Sequence, residues 1–149
     1  SLFHLPACGS ALGMESGGIT NSQILASSHQ WFRAPSNARL NGDGAWCSPD
    51  HYPHLEIDFG KPYKVTGLAT QGSAKDSRWV GHFTVSSNLA GMSFNDYRER
   101  NTEKIFNGNR DGESVGKNRL NPPIVARRLR IRPLQPAHVS SCARIQLYG

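Results

Sequence analysis

Residues 54–60 read HLEIDFG. In an extended chain Leu55, Ile57 and Phe59 fall on one face, and His54, Glu56 and Asp58 on the other. A period of two is the signature of a strand with one buried side. The pattern recurs along the chain. HFTVSS (82–87) sets Phe83 and Val85 on one side. ARRLRIRP (126–133) interleaves Arg128, Arg130 and Arg132 with Leu129 and Ile131. CARIQLYG (142–149) aligns Ala143, Ile145 and Leu147, and YKVTGLATQG (63–72) is rich in β-formers. Turn signals separate these runs: Gly17-Gly18, Asn41-Gly42, Gly60-Lys61-Pro62, Asn107-Gly108-Asn109 and Asn121-Pro122-Pro123. No stretch carries the 3.6-residue period of a long amphipathic helix. Short strands at fairly regular spacing predict an all-β sandwich or jelly roll. With no internal repeat and no low-complexity linker, the 149 residues read as one domain, its core running from about residue 8 to 149.

The totals narrow the partners. Seventeen basic against eleven acidic residues give a net charge of +6, which favours acidic partners such as anionic lipid, sulfated glycan, nucleic acid or an acidic protein. The three alternating arginines have no interleaved aromatics, so they read as a solvated sheet face, and nucleic acid is not expected. No apolar run approaches the roughly 18 residues that span a bilayer. The chain opens on SLFHLPACG without a signal-peptide pattern and reads as a mature fragment of a longer product.

Three cysteines, Cys8, Cys47 and Cys142, lie at the start, middle and end. None belongs to a C-x-x-C pair, so a zinc cluster is not expected; wide spacing suits long-range disulfides in an oxidising compartment. Three is odd. A fourth cysteine just beyond Gly149 would complete a second bridge. Catalytic signatures are missing: there is no G-x-S-x-G, H-E-x-x-H, P-loop or Cys–His arrangement, and the six histidines have no metal spacing. NGNRDG (107–112) has oxygen side chains at alternate positions, but it starts on Asn and lacks the downstream bidentate Glu of a calcium loop. The reading is a non-enzymatic domain with no cofactor and no metal.

Several motifs line up with a known family. ALGMESGGITNSQILASS, ARLNGDGAWC, LEIDFG, VTGLATQG, FNGNRDG, NPPIVARRLRIRPL and ARIQLYG follow in order and at the spacing of a discoidin domain, also called the coagulation factor V/VIII type C domain. The resemblance runs from about Cys8 to Gly149. It implies an eight-stranded jelly roll or β-barrel of the galactose-binding type, with a binding surface on loops at one end. In that family GDGAWC is a rim loop entering a core strand, so Trp46 is expected to anchor the loop from inside. Discoidin domain receptors and carboxypeptidase-like matrix proteins carry a similar DGAWC paired with a late cysteine. This implies a Cys47–Cys142 disulfide and leaves Cys8 for the cysteine beyond residue 149.

The same resemblance gathers three loops at the rim. SSHQWFRAPSN carries Trp31, Phe32 and Arg33; GSAKDSRWVGH carries Lys75, Arg78 and Trp79; CSPDHYPH carries Asp50, His51 and Tyr52. Strand alternation would bury one of two adjacent aromatics, so Trp31 and Phe32 side by side mark a loop. Against collagen-binding receptors, the rim Trp matches Trp31 and the rim Asp matches Asp43. Pro35, Ser73, Arg78 and Ser140 depart from the remaining contact positions, which removes the polar half of that site. Similarity to contactin-associated proteins runs through LATQG, RWVGHF, YRE and IFNGN. The resemblance thus implies an extracellular adhesion or recognition module, secreted or part of an ectodomain. The expected ligand-binding residues are Trp31, Phe32, Arg33, Asp43, Lys75, Arg78 and Trp79. A cell-surface or matrix protein, collagen-like ligands included, ranks first as partner. Anionic phospholipid, of the phosphatidylserine type, and a glycan are the alternatives.

Overall fold

In the computed structural model, which describes residues 9–149, the alternating segments form ten strands: β1 (Ile24–Ala26), β2 (Trp46–Ser48), β3 (Leu55–Gln71), β4 (His82–Asn88), β5 (Asn95–Asp96), β6 (Arg98–Glu99), β7 (Thr102–Glu103), β8 (Phe106–Asn107), β9 (Gly116–Pro133) and β10 (Ser141–Tyr148). Eight of them form one sheet, ordered β2-β10-β3-β9-β4-β5, with β1 pairing β3 and β8 pairing β4; β6 and β7 make a separate small hairpin. Two short 3-10 turns, Asn21–Gln23 and Pro35–Asn37, are the helical elements among the described residues. The all-β, eight-stranded expectation is met.

Two expected turns are not turns. Gly60-Lys61-Pro62 lies inside β3, and Asn121-Pro122-Pro123 inside β9. Both strands are long, and they pair with each other on each side of the irregularity. Leu55 to Asp58 oppose Ile131 to Arg128, the register shifts between Asp58 and Tyr63, and Tyr63 resumes against Ala126. Gly60 takes φ +79°, a conformation glycine adopts at little steric cost. Proline has no N–H to give the ladder. Together they bend a strand without ending it. A second shift, between Val65 and Gly67, accommodates the proline pair in β9. Each long strand therefore serves two parts of a curled sheet, and the sheet closes over its own apolar face.

That face is the core. Leu55, Ile57, Phe59, Val65, Leu68, Phe83, Val85, Leu129, Ile131, Ala143, Ile145 and Leu147 are buried in one cluster with Met14, Trp46 and Phe106. Phe83 and Phe106 stack at 5.2 Å between centroids. Trp46 is fully buried, as expected, and its indole Nε1–H donates to the Ser28 carbonyl at 2.9 Å. The opposite face of β9 is less simple than a solvated one. Arg130 Nε donates to Glu56 Oε1 at 2.7 Å, Glu56 is buried, and the Arg130 guanidinium stacks 3.7 Å from the Phe94 centroid.

Candidate functional site

The rim is built where β2, β3 and β10 end together. Cys47 and Cys142 are direct partners across the β2–β10 pair and are joined by a disulfide, the pairing the family resemblance implied. Cys8 lies outside the described residues. Next to the disulfide, Arg144 leaves β10 and enters the loops. Its guanidinium donates to the carbonyls of Gly72 (2.9 Å), Gly42 (2.9 Å) and Gly112 (2.8 Å). One cation thus ties the bases of three loops. Gln71 extends this lattice: it accepts from Asn41 N–H at 2.7 Å and donates to Asn41 Oδ1 and the Glu113 carbonyl. The glycines matter here for space. A Cβ on Gly72 would sit 2.5 Å from Trp79 Cβ and 2.7 Å from the Arg78 carbonyl.

The loop at 28–45 carries the aromatic pair. Gln30 N–H donates to Cys47 O, Cys47 N–H to Arg33 O, and Arg33 N–H to Gln30 O. Gln30 and Arg33 are therefore pinned to β2, and Trp31 and Phe32 form the centre of a tight four-residue turn. Phe32 has φ +61°, the left-handed geometry that a type II turn demands at its third residue and usually fills with Gly or Asn. The turn drives both rings outward: Trp31 is 82% exposed and Phe32 77%, edge to face at 5.5 Å. Trp79, at 39%, is only half turned in.

Arg33 does not point the same way. Its Nε donates to both carboxylate oxygens of Asp76 (3.0 and 2.9 Å), and its Nη1 donates to the Phe32 carbonyl at 3.1 Å. Asp76 also accepts from Ser73 Oγ at 2.6 Å. The Arg33 guanidinium, with help from Ser73 and Lys75, holds the Asp76 carboxyl below its ordinary range against a smaller opposing effect of burial. This ion pair links the first loop to the second. Asp43, Lys75, Gly44, Ala45 and Ser73 join it around a cleft of about 200 Å³. Arg78 is exposed beside it and bridges to Ser73 through the backbone. Of the seven expected residues, Arg33, Asp43 and Lys75 line the cleft, while Trp31 and Phe32 project beyond it. The third loop attaches through Ser28 Oγ to Ser48 Oγ (2.7 Å) and Ser27 N–H to the His54 carbonyl; Tyr52 is exposed there and packs on His51. In the fourth loop the Asp111 carboxylate is satisfied locally. Asp111 accepts from the Glu113 and Ser114 amides and the Ser114 hydroxyl, and Asn109 donates to Thr70 O and Ser114 O.

Asp76 is the site residue that sequence reading missed. In GSAKDSRW it looks like an ordinary turn carboxylate, and its partner is 43 positions away. The available signal was a lone acid between basic residues in a rim loop.

The family model for the F5/8 type C domain matches residues 19–146. The chain belongs to the F5/8 type C family. It is 40% identical over 145 residues to coagulation factor VIII of Canis lupus familiaris, covering 89% of this chain and 6% of that protein. It is 33% identical over 153 residues to neuropilin-2 of Rattus norvegicus, covering 95% and 16%. The F5/8 type C domain thus spans a small part of the curated relatives it matches. Its fold is shared with recombinant discoidin II of Dictyostelium discoideum (TM-score 0.78, 21% identity, 93% of this chain and 58% of that one). It is also shared with a family 32 carbohydrate-binding module from C. perfringens NanJ solved with galactose (TM-score 0.68, 16% identity, 88% and 97%). The architecture is the galactose-binding-like jelly roll. F5/8 type C domains are binding modules rather than catalysts. The relatives and the disulfide make this an extracellular domain.

Proposed function

We propose that this F5/8 type C domain is an extracellular recognition module that binds through its rim loops, and that the surface it docks on is an anionic membrane. The turn carrying Trp31 and Phe32 supports this reading. Two adjacent aromatics at about four-fifths exposure are costly in water and are stabilised at a bilayer interface, where amphipathic rings settle at headgroup depth. Lys75 and Arg78 stand on the neighbouring loop, where each contributes about 1 kcal/mol near an anionic surface. Trp79 adds a half-exposed ring on the same loop.

A second reading, a cell-surface or matrix protein as ligand, ranked first on sequence. Its support is the cleft. A membrane does not need the polar complementarity of Arg33, Asp43, Lys75 and Asp76, whereas a protein ligand uses it, with Trp and Arg as favoured anchors. The collagen-type arrangement would have to work differently here, because the rim's arginine–carboxylate pair is Arg33 with Asp76 rather than a residue after TQG with its partner.

Co-sedimentation with phosphatidylserine-containing and neutral phosphatidylcholine vesicles, at low and physiological salt, separates the two. The expected result is pelleting with the anionic vesicles only, weakened by salt as surface electrostatics require. A Trp31→Ala/Phe32→Ala variant is expected to lose at least tenfold in affinity. Failure to pellet with either vesicle transfers the rim to a protein or glycan ligand, and a screen of matrix proteins and a glycan array then decides which.

A further inference from the structure

The aromatic tip has an unfavourable geometry, and the structure contains a device that holds it. Phe32 occupies a turn position suited to glycine, at φ +61°. A bulky side chain there is strained and persists only where its surroundings impose it. Two kinds of constraint act on it. The backbone bonds of Gln30 and Arg33 to Cys47 fix the ends of the turn. The Arg33 amide also donates to Gln30 O, which holds the N–H side of the peptide plane after Phe32. On the carbonyl side of the same plane, Arg33 Nη1 donates to Phe32 O, a bond that adds a second constraint. Arg33 can make it because Asp76, with only 21% of its side chain exposed, receives the guanidinium Nε on both oxygens. Asp76 is itself aimed by Ser73, whose hydroxyl donates to its carboxylate and accepts from its amide. The chain of contacts runs from Ser73 to Asp76, to Arg33, to the carbonyl of Phe32.

We propose that Arg33 and Asp76 form a clamp that sets the outward conformation of the Trp31–Phe32 tip, so that Asp76 controls docking without touching the ligand. The clamp rests on the membrane-docking reading only for its consequence; the ordering of the tip is a separate, measurable property. Arg33 is then a positioning residue rather than a contact for lipid headgroups, and the cationic contacts fall to Lys75 and Arg78. The rival assignment makes the opposite forecast. If Arg33 served headgroups, removing the Asp76 charge would free a cation and strengthen binding to anionic vesicles at low salt.

The test uses Asp76→Asn and the conservative Asp76→Glu in the whole chain, with two readouts. Chymotrypsin cleaves after exposed aromatics in flexible backbone, so limited digestion reports the order of the tip directly. Co-sedimentation with phosphatidylserine vesicles reports docking. Losing one charge-assisted contact predicts cleavage at Trp31–Phe32 about tenfold faster in Asp76→Asn and vesicle affinity about tenfold lower. Asp76→Glu is expected to recover most of both, which general loosening of the fold would not do. Circular dichroism melts of the three proteins identify any variant that simply unfolds. Wild-type cleavage in Asp76→Asn overturns the clamp, whatever the vesicles do. Faster cleavage with unchanged or tighter vesicle binding overturns the claim that the clamp controls docking. If the wild-type chain binds no vesicle, the membrane reading falls and cleavage alone judges the clamp.

Discussion

His54 stands at the entrance to β3, half-buried against the arginine face. Burial, then the Arg130 and Arg132 guanidiniums, push its imidazole below the ordinary 6.5, with Glu56 opposing. A base with a depressed pKa in the folded state binds fewer protons folded than unfolded. Its contribution to stability is complete above pH 6.5 and is lost as pH falls through the folded value. The unfolding midpoint is therefore expected to drop as pH falls below 6.5, and His54→Gln to flatten that slope; thermal melts at four pH values measure it. Asp76 and Asp111, held low by Arg33 and by the Ser114 amide respectively, act in a separate window below the ordinary carboxylate value of 3.8. At this scale the sequence is only partly readable. Alternation correctly set His54 and Glu56 on the face away from the core, but the burial of Glu56 depends on an arginine 74 positions away. The pairing of Asp76 with Arg33 was unreadable for the same reason. No local period encodes a partner on another loop.

Among the elements, β3 and β9 define the shape. The alternation that identified them holds within the arms, Leu55, Ile57 and Phe59 in β3 and Leu129 and Ile131 in β9, but its phase changes across the shifts, to Leu68 in β3 and to Ile124 and Ala126 in β9; the bends were misread as chain reversals because Gly and Pro signal both. What distinguishes a bend from a turn is whether pairing resumes with the same neighbour, and that is a fact about β9, not about β3. The β2–β10 pair is different in kind. β2 is only three residues long, and the disulfide at its centre closes a loop with a sequence separation of 95. Chain entropy alone gives such a cross-link roughly 4–5 kcal/mol. Cys47→Ser/Cys142→Ser is expected to lose about that much in urea unfolding. The aromatic turn, whose ends bond to Cys47, should be released with it, visible as faster chymotryptic cleavage than in the cystine-containing chain.

For the molecule as a whole, the net charge of +6 favours an anionic partner class but gives it no address. Much of the positive charge is spent internally: Arg33, Arg39, Arg130 and Arg144 all donate to carboxylates or carbonyls within the fold. The rim therefore works with few free cations and with rigid geometry. Arg144→Met would leave three loop carbonyls without their donor, at an expected cost of about 2–4 kcal/mol in urea unfolding. Arg144→Lys is expected to recover less than half of that, since an ammonium cannot replicate the planar fork.

The three-way tether has a consequence for how such a surface can diversify. Because Gly42, Gly72 and Gly112 are fastened to one guanidinium, the segments beyond those points are interchangeable tips on a common chassis. A new sequence or an added residue between tether points changes what is presented and leaves the foundation in place, whereas an insertion at one tether disturbs all three loops at once. Grafts that respect these anchor points give an engineer, or natural variation, separate control over what the rim displays and how firmly it stands.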